Sequence, residues 1–147
     1  MSVVRIKRLT PEAILPKYRK QGDSGFDLHS TDDVWLCPGQ SKLVHTGLAM
    51  EVEEGYEIQI RPRSGVSRNT KLRISNTPGT IDSNYRGEVG ILVDNISNVE
   101  DEIEHITKGM RIAQAVVIPV VRAHIVEVSE LSETERMDQG FGSSGSH

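Results

Sequence analysis

Short strand signals closed by turn residues recur about every ten residues along this chain, and no stretch carries a helical apolar repeat long enough to trust. The clearest of them spans residues 56–61, where Tyr56, Ile58 and Ile60 alternate with Glu57, Gln59 and Arg61 until Pro62 stops the run. Alternation with a period of two places one apolar face on a core and leaves the other polar. Phe26 and Leu28 alternate with Asp27 and His29 in the same way, Val34, Trp35 and Leu36 lead into a Pro38-Gly39 turn, and residues 42–45 form another short run before Gly47. Val3, Val4 and Ile6 among Arg5, Lys7 and Arg8 read as a first strand with a basic edge, and residues 124–128 read as a last one. Residues 115–121 are almost unbroken apolar, so a strand there must be covered on both faces, by the core of a sandwich or by a subunit interface. The expectation is an all-β single domain of many short strands over residues 1–128, followed by a glycine- and serine-rich arm over residues 129–147.

At 147 residues the chain is long enough for a core of its own, while a hydrophobic share of 36% leaves room for a partner chain to complete it. With 17 basic and 21 acidic side chains the net charge is -4, which argues against a general nucleic-acid or membrane surface. The single cysteine, Cys37, has no intrachain disulfide partner, and no apolar run approaches the ~20 residues of a membrane span. A soluble protein in a reducing, intracellular setting is expected, with a cytoplasmic location or, for a viral chain, the interior of the host cell.

Four segments carry residues capable of chemistry. In SNTPGTIDSNYRGE (75–88), Pro78-Gly79 suits the centre of a type II turn, and the resulting hairpin would hold the Asp82 carboxylate, the Tyr85 ring and the Asn76 carboxamide close together. RPRSGVSRN (61–69) reads as a basic loop after a strand end, with backbone N–H groups and a hydroxyl that could face an anion. Gln114 is the polar exception in an apolar strand, beside Arg111. In the tail, Arg136, an aromatic ring at Phe141 and the flanking glycines and serines suit an arm closing over an aromatic ring that bears phosphates. The acidic run SNVEDEIE (97–104) reads as a solvated connection, and none of the five histidines has zinc-site spacing.

Taken in order, SGFDLHS (24–30), RPRSGV (61–66), NTPGTIDSNYRGE (76–88), KGMRIAQ (108–114) and RMDQGFGSSG (136–145) closely resemble the five motifs of the trimeric dUTPase family. The resemblance covers almost the whole chain. It implies a distorted jelly-roll-like fold, a homotrimer with exchange of the C-terminal arm, and hydrolysis of dUTP to dUMP and pyrophosphate by attack of water on the α-phosphorus. That reaction limits uracil incorporation into DNA and supplies dUMP for thymidylate synthesis. Asp82 matches the base that activates water. Asn76, with backbone groups of Thr80 and Ile81, matches the reader of uracil, and Tyr85 matches the ring that packs on deoxyribose where a 2'-hydroxyl would sit. Arg63, Ser64, Gly65 and Gln114 match phosphate contacts. Phe141 would stack on the base, Arg136 would reach the γ-phosphate, and Gly142, Ser143 and Ser144 would wrap it. Mg2+ is implied, carried by the triphosphate and touched by Asp27 only through water. Gln139, Ser24, Phe26 and Ser144 depart from the usual motif residues without removing a functional group. Two rivals share the fold: a dCTP deaminase-type enzyme and a non-catalytic nucleotide-sensing protein.

Overall fold

The computed structural model describes residues 3–135 and 137–138. Two four-stranded antiparallel sheets make up the frame. One has the order β1-β4-β8-β6, built from Val4–Arg8 (β1), Ser41–Val52 (β4), Leu72–Ile74 (β6) and Glu88–Asn95 (β8). The other has the order β2-β10-β5-β7, built from Phe26–His29 (β2), Tyr56–Pro62 (β5), Gly79–Ile81 (β7) and Arg111–Pro119 (β10). Val34–Leu36 (β3) and Glu104–Ile106 (β9) form a separate two-stranded ribbon.

Period-two patterning decides which side chains meet between the layers. Val89, Ile91 and Val93 of β8 point inward from the first sheet, while Ile58 and Ile60 of β5 and Leu28 of β2 point inward from the second, and all join one apolar cluster. Each such side chain, fully buried, contributes roughly 1.5–3 kcal/mol. β10 lies between β2 and β5, with Ala113 and Ala115 completely enclosed, but the expected cover on both faces of residues 115–121 holds only at Ala115 and Val116: Val117 and Ile118 are half-buried and Val120 and Val121 are exposed within one chain. The all-β, jelly-roll-like expectation therefore describes the chain, and no helix among the described residues is long and apolar enough to cross a membrane.

Five local expectations are corrected. β4 does not stop before Gly47 but runs on to Val52, because Gly47 adopts φ 65° and sits in an irregularity of the β4–β8 ladder between His45 and Ala49. The basic stretch after β5 is not a loop: Ser64–Asn69 forms a short helix, α1, anchored by the buried Val66 and closed by Thr70, whose N–H and hydroxyl both donate to the Val66 carbonyl. Pro78-Gly79 is not a type II turn, since the Thr77-Pro78 peptide is cis and Gly79 opens β7 in an extended conformation. Nor do residues 75–88 form a local hairpin: β6 belongs to the first sheet, β7 to the second, and β8 to the first again. Finally, β10 ends at Pro119, and residues 124–128 are not a strand. Val121 and Ile125 stand 94% and 92% exposed. A strand needs a neighbour for its backbone groups, and the described residues of one chain offer this stretch none.

Candidate active site

The crossing of residues 75–88 builds one cleft. Where the chain leaves β6, Ser75 is fastened to β8 by its N–H on the Leu92 carbonyl (3.0 Å) and its hydroxyl on the Asp94 carboxylate. Asp94 also accepts from Ser41, and these two serine hydroxyls hold its carboxyl below the usual range. The chain then crosses to the second sheet, where Gly79, Thr80 and Ile81 pair with Ile60, Gln59 and Ile58. Gly79 is buried so closely on β5 that a Cβ would lie 3.3 Å from Ile60 Cβ. β7 is an edge strand, so the backbone on its far side has no strand partner. Past Ile81 the chain turns back, with the Tyr85 N–H donating to the Asp82 carbonyl (3.0 Å), and re-enters the first sheet at Glu88.

Asn76, Thr80, Ile81, Asp82 and Tyr85 all line the resulting cleft of about 480 Å³, with Leu43, Gly90 and Leu92 supplying apolar wall. Gly90 matters for that wall because Leu43 folds over it: a Cβ there would lie 2.6 Å from Leu43 Cδ1. Asp82 is exposed, and among the described residues its carboxylate has no hydrogen-bond or ion-pair partner. It also borders a larger cleft of about 820 Å³ lined by Glu51, Glu53, Glu54 and Glu57. Arg5, Arg86 and Arg122 line that larger cleft too and pair with Glu51 and Glu54, so its charge is mixed, and of the two it is the smaller cleft in which Asn76, Thr80, Ile81 and Tyr85 join Asp82.

Asp27, Arg63, Ser64, Gly65 and Gln114 gather elsewhere, around the junction of β2, β10 and α1. Arg63 Nε donates to Asp27 Oδ1 (2.7 Å), Arg111 Nη1 to Asp27 Oδ2 (3.2 Å), and Arg63 Nη1 to the Arg111 carbonyl (3.2 Å). Gln114 donates its Nε2 to the Pro62 carbonyl (2.9 Å), and its Oε1 lies where a Cβ on Gly25 would come within 2.8 Å. Ser64 and Gly65 stand exposed at the first turn of α1. Beside them a cleft of about 700 Å³ runs past Arg63, Lys108 and Arg111, cationic where the Asp82 border is not. His29, next to this cluster, has its pKa lowered by burial first and by Arg111, Arg63 and Arg19 after it, with the Asp27 charge pulling the other way.

The nucleoside residues thus come together, and so do the phosphate residues, but the two clefts share no lining residue within one chain. Arg136, Phe141, Gly142, Ser143 and Ser144 lie outside the described residues, as does Gln139. Sequence reasoning passed over Arg111 as half of the Asp27 clamp, and Leu43, Glu88 and Gly90 as cleft residues. The position of Arg111 three residues before Gln114 was a usable signal; the other three depend on a pairing across β4 and β8 that no local pattern announces.

No group of three or more His, Cys, Asp or Glu side chains among the described residues is arranged to enclose a metal ion. With both Asp27 oxygens engaged by guanidinium groups, the donor set fits a hard cation held by ligand oxygens and water, not one caged by protein.

A family model described as dUTPase matches residues 11–145. The deoxyuridine 5'-triphosphate nucleotidohydrolase of Nautilia profundicola is 55% identical over 142 residues, covering 97% of this chain and 98% of that protein. The protein of the same description from a Picosynechococcus species is 46% identical with the same coverage. Among solved structures, Staphylococcus bacteriophage 80alpha dUTPase with dUpNHpp superposes with a TM-score of 0.90 at 31% identity, covering 97% of this chain and 98% of that one. A variant dUTPase from phage phi11 of S. aureus, with a TM-score of 0.80 at 26% identity, covers 87% of this chain and 97% of its own and coordinates a structural Mg(II) ion. With that family model matching residues 11–145 and relatives of that description 55% and 46% identical over 97% of its length, the chain belongs to the dUTPase family.

Proposed function

We propose that the chain hydrolyses dUTP to dUMP and pyrophosphate, with Asp82 as the base that takes a proton from the attacking water. The observation that carries this reading is the cleft in which Asn76, Thr80, Ile81, Asp82 and Tyr85 converge, the Asp82 carboxylate having no partner among the described residues. Water is a poor nucleophile, and attack on the α-phosphorus requires its proton to be drawn off as the new P–O bond forms and the bond to pyrophosphate breaks. A carboxylate free of ion pairs keeps its lone pairs for that proton. The open edge of β7 and the Asn76 amide offer donors and acceptors to the edge of uracil. Cytosine presents a mismatched set there, and a thymine methyl meets the strand itself.

The phosphates fit the cationic cleft lined by Arg63 and Gly65, with the neighbouring Ser64 hydroxyl and Gln114 as the further contacts that the motif match supplies. Mg2+ bound to the triphosphate would be held by phosphate oxygens and water, with Asp27 at most a water-mediated contact, and would offset the charge of the leaving pyrophosphate. Because the two clefts are separate in one chain, the complete site arises where the β7 cleft of one copy faces the α1 cleft of another in a homotrimer. The arm of residues 129–147, carrying Arg136, Phe141, Gly142, Ser143 and Ser144, then closes over it from a third copy.

Incubating the protein with each deoxynucleoside triphosphate and measuring pyrophosphate and ammonia tests the reaction. Pyrophosphate from dUTP alone is expected; ammonia from dCTP would indicate a deaminase, and neither product a sensor. Mixing inactive Asp82→Asn chains with inactive Ser64→Ala chains, after dissociation and reassembly, tests the shared site. Activity should reappear, and its failure to do so would place both halves in one chain.

A further inference from the structure

Gly87 and Glu88 stand between the nucleoside cleft and β4. A Cβ on Gly87 would lie 2.4 Å from Tyr85 Oη, 2.6 Å from its Cζ and 3.0 Å from its Cε2. The phenol ring therefore lies over the spot where any other residue would carry a side chain. From there Tyr85 Oη donates to the Glu88 carbonyl at 2.9 Å. Glu88 is itself held at both carboxylate oxygens: the Gly47 N–H donates to Oε1 (2.8 Å), and His45 Nδ1 lies 2.9 Å from Oε2. The irregularity in β4 makes this grip possible, because it turns the Gly47 N–H toward β8. A side chain at Gly47 would collide with Thr10 Oγ1 (2.8 Å) and Ala13 Cβ (2.9 Å), so the bulge is built for glycine.

We propose that Gly87, Glu88 and His45 are positioning residues that fix the depth of the Tyr85 ring in the cleft and so set how strongly the site excludes a 2'-hydroxyl. The inference rests on the reading of this cleft as the dUTP site. A wall rejects an added atom only as far as the wall refuses to yield, and side chains hold functional geometry when their own supports are fixed. Tyr85 is 43% exposed, and its hydroxyl is anchored to the Glu88 carbonyl. A Cβ at Gly87 displaces the ring and loss of the His45 contact slackens its anchor, so each changes the room left for ribose without touching Asp82.

The test compares kcat/KM for dUTP and UTP in the full-length wild type and in Tyr85→Ala, Gly87→Ala, His45→Ala and His45→Gln. The ratio between substrates is its own control, since a loss of folded enzyme lowers both values equally. Tyr85→Ala and Gly87→Ala should each reduce dUTP preference ~10-fold or more, chiefly by raising UTP turnover. His45→Ala should reduce it about threefold, and His45→Gln, whose amide can still donate to Glu88, should restore it. A wild-type ratio in Gly87→Ala beside an altered one in Tyr85→Ala would overturn the positioning role. A wild-type ratio in Tyr85→Ala would remove the reading of the cleft and the inference with it. If Gly87→Ala does not fold, judged by circular dichroism, the histidine pair decides, and equal ratios in His45→Ala and wild type overturn the proposal.

Discussion

Asp27 and Asp82 carry the same side chain in opposite settings. The Asp27 side chain is 15% exposed, with one oxygen on Arg63 and the other on Arg111. Asp82 stands in solvent just past the end of β7 with no partner among the described residues. A carboxylate saturated by guanidinium groups has its lone pairs committed, while a bare one can accept a proton from water. Surroundings, not residue type, separate an acid committed to structure from one left able to react.

The sharpest way to break this comparison is to remove each charge in turn. Asp82→Asn should lower single-turnover pyrophosphate release by ~10² to 10⁴ while leaving thermal stability near wild type. Near-normal turnover in that variant would end the assignment. Asp27→Ala should do the reverse in stability, costing about 2 kcal/mol by urea denaturation, because Arg63 and Arg111 are left partly buried and unpaired. If its unfolding midpoint does not move, the clamp is not a structural element.

A third carboxylate sharpens the contrast at smaller scale. Burial pushes the Glu88 pKa up, but hydrogen bonds from His45 and from the Gly47 and Thr46 backbones outweigh it and hold the group below its ordinary 4.5. Since the folded value is the lower one, the stability Glu88 contributes is complete above the ordinary value and is lost as pH falls through the folded value. Glu88→Gln should flatten that part of an acid-denaturation curve, and an unchanged slope would count against the grip on β4. The smallest effect belongs to Arg5, whose pair with Glu51 (3.0 Å) joins side chains 65% and 40% exposed. Arg5→Ala should change stability by no more than about 0.5 kcal/mol, and a larger loss would mean that surface pairs rival the buried clamp.

What could be read from the residues, and what could not, divides along the range of the interactions. Period-two runs located β2 and β5 because a strand's own side chains record which face is buried, while β10 was marked by its nearly unbroken apolar run. The motifs located Asp82, Tyr85 and Asn76 correctly as neighbours. The reason given for their nearness, a hairpin turning at Pro78-Gly79, does not hold: the segment passes from one sheet to the other and back, and that route depends on partners supplied by β5 and β8. Ser64–Asn69 went unrecognised as a helix because a single turn and a half offers no period to detect. The alternation at residues 124–128 was real, yet a pattern specifies only a face, and the neighbour that makes it a strand has to come from elsewhere.

The crossing at residues 75–88 ties the proposed site to the integrity of both layers. Since its two ends are sewn to one sheet and its middle to the other, any slippage between them would shift β7 and Asp82 together against the Leu43, Gly90 and Leu92 wall of the proposed site. Such a protein has no half-melted but working form, so heat inactivation and loss of sheet signal should follow a single curve.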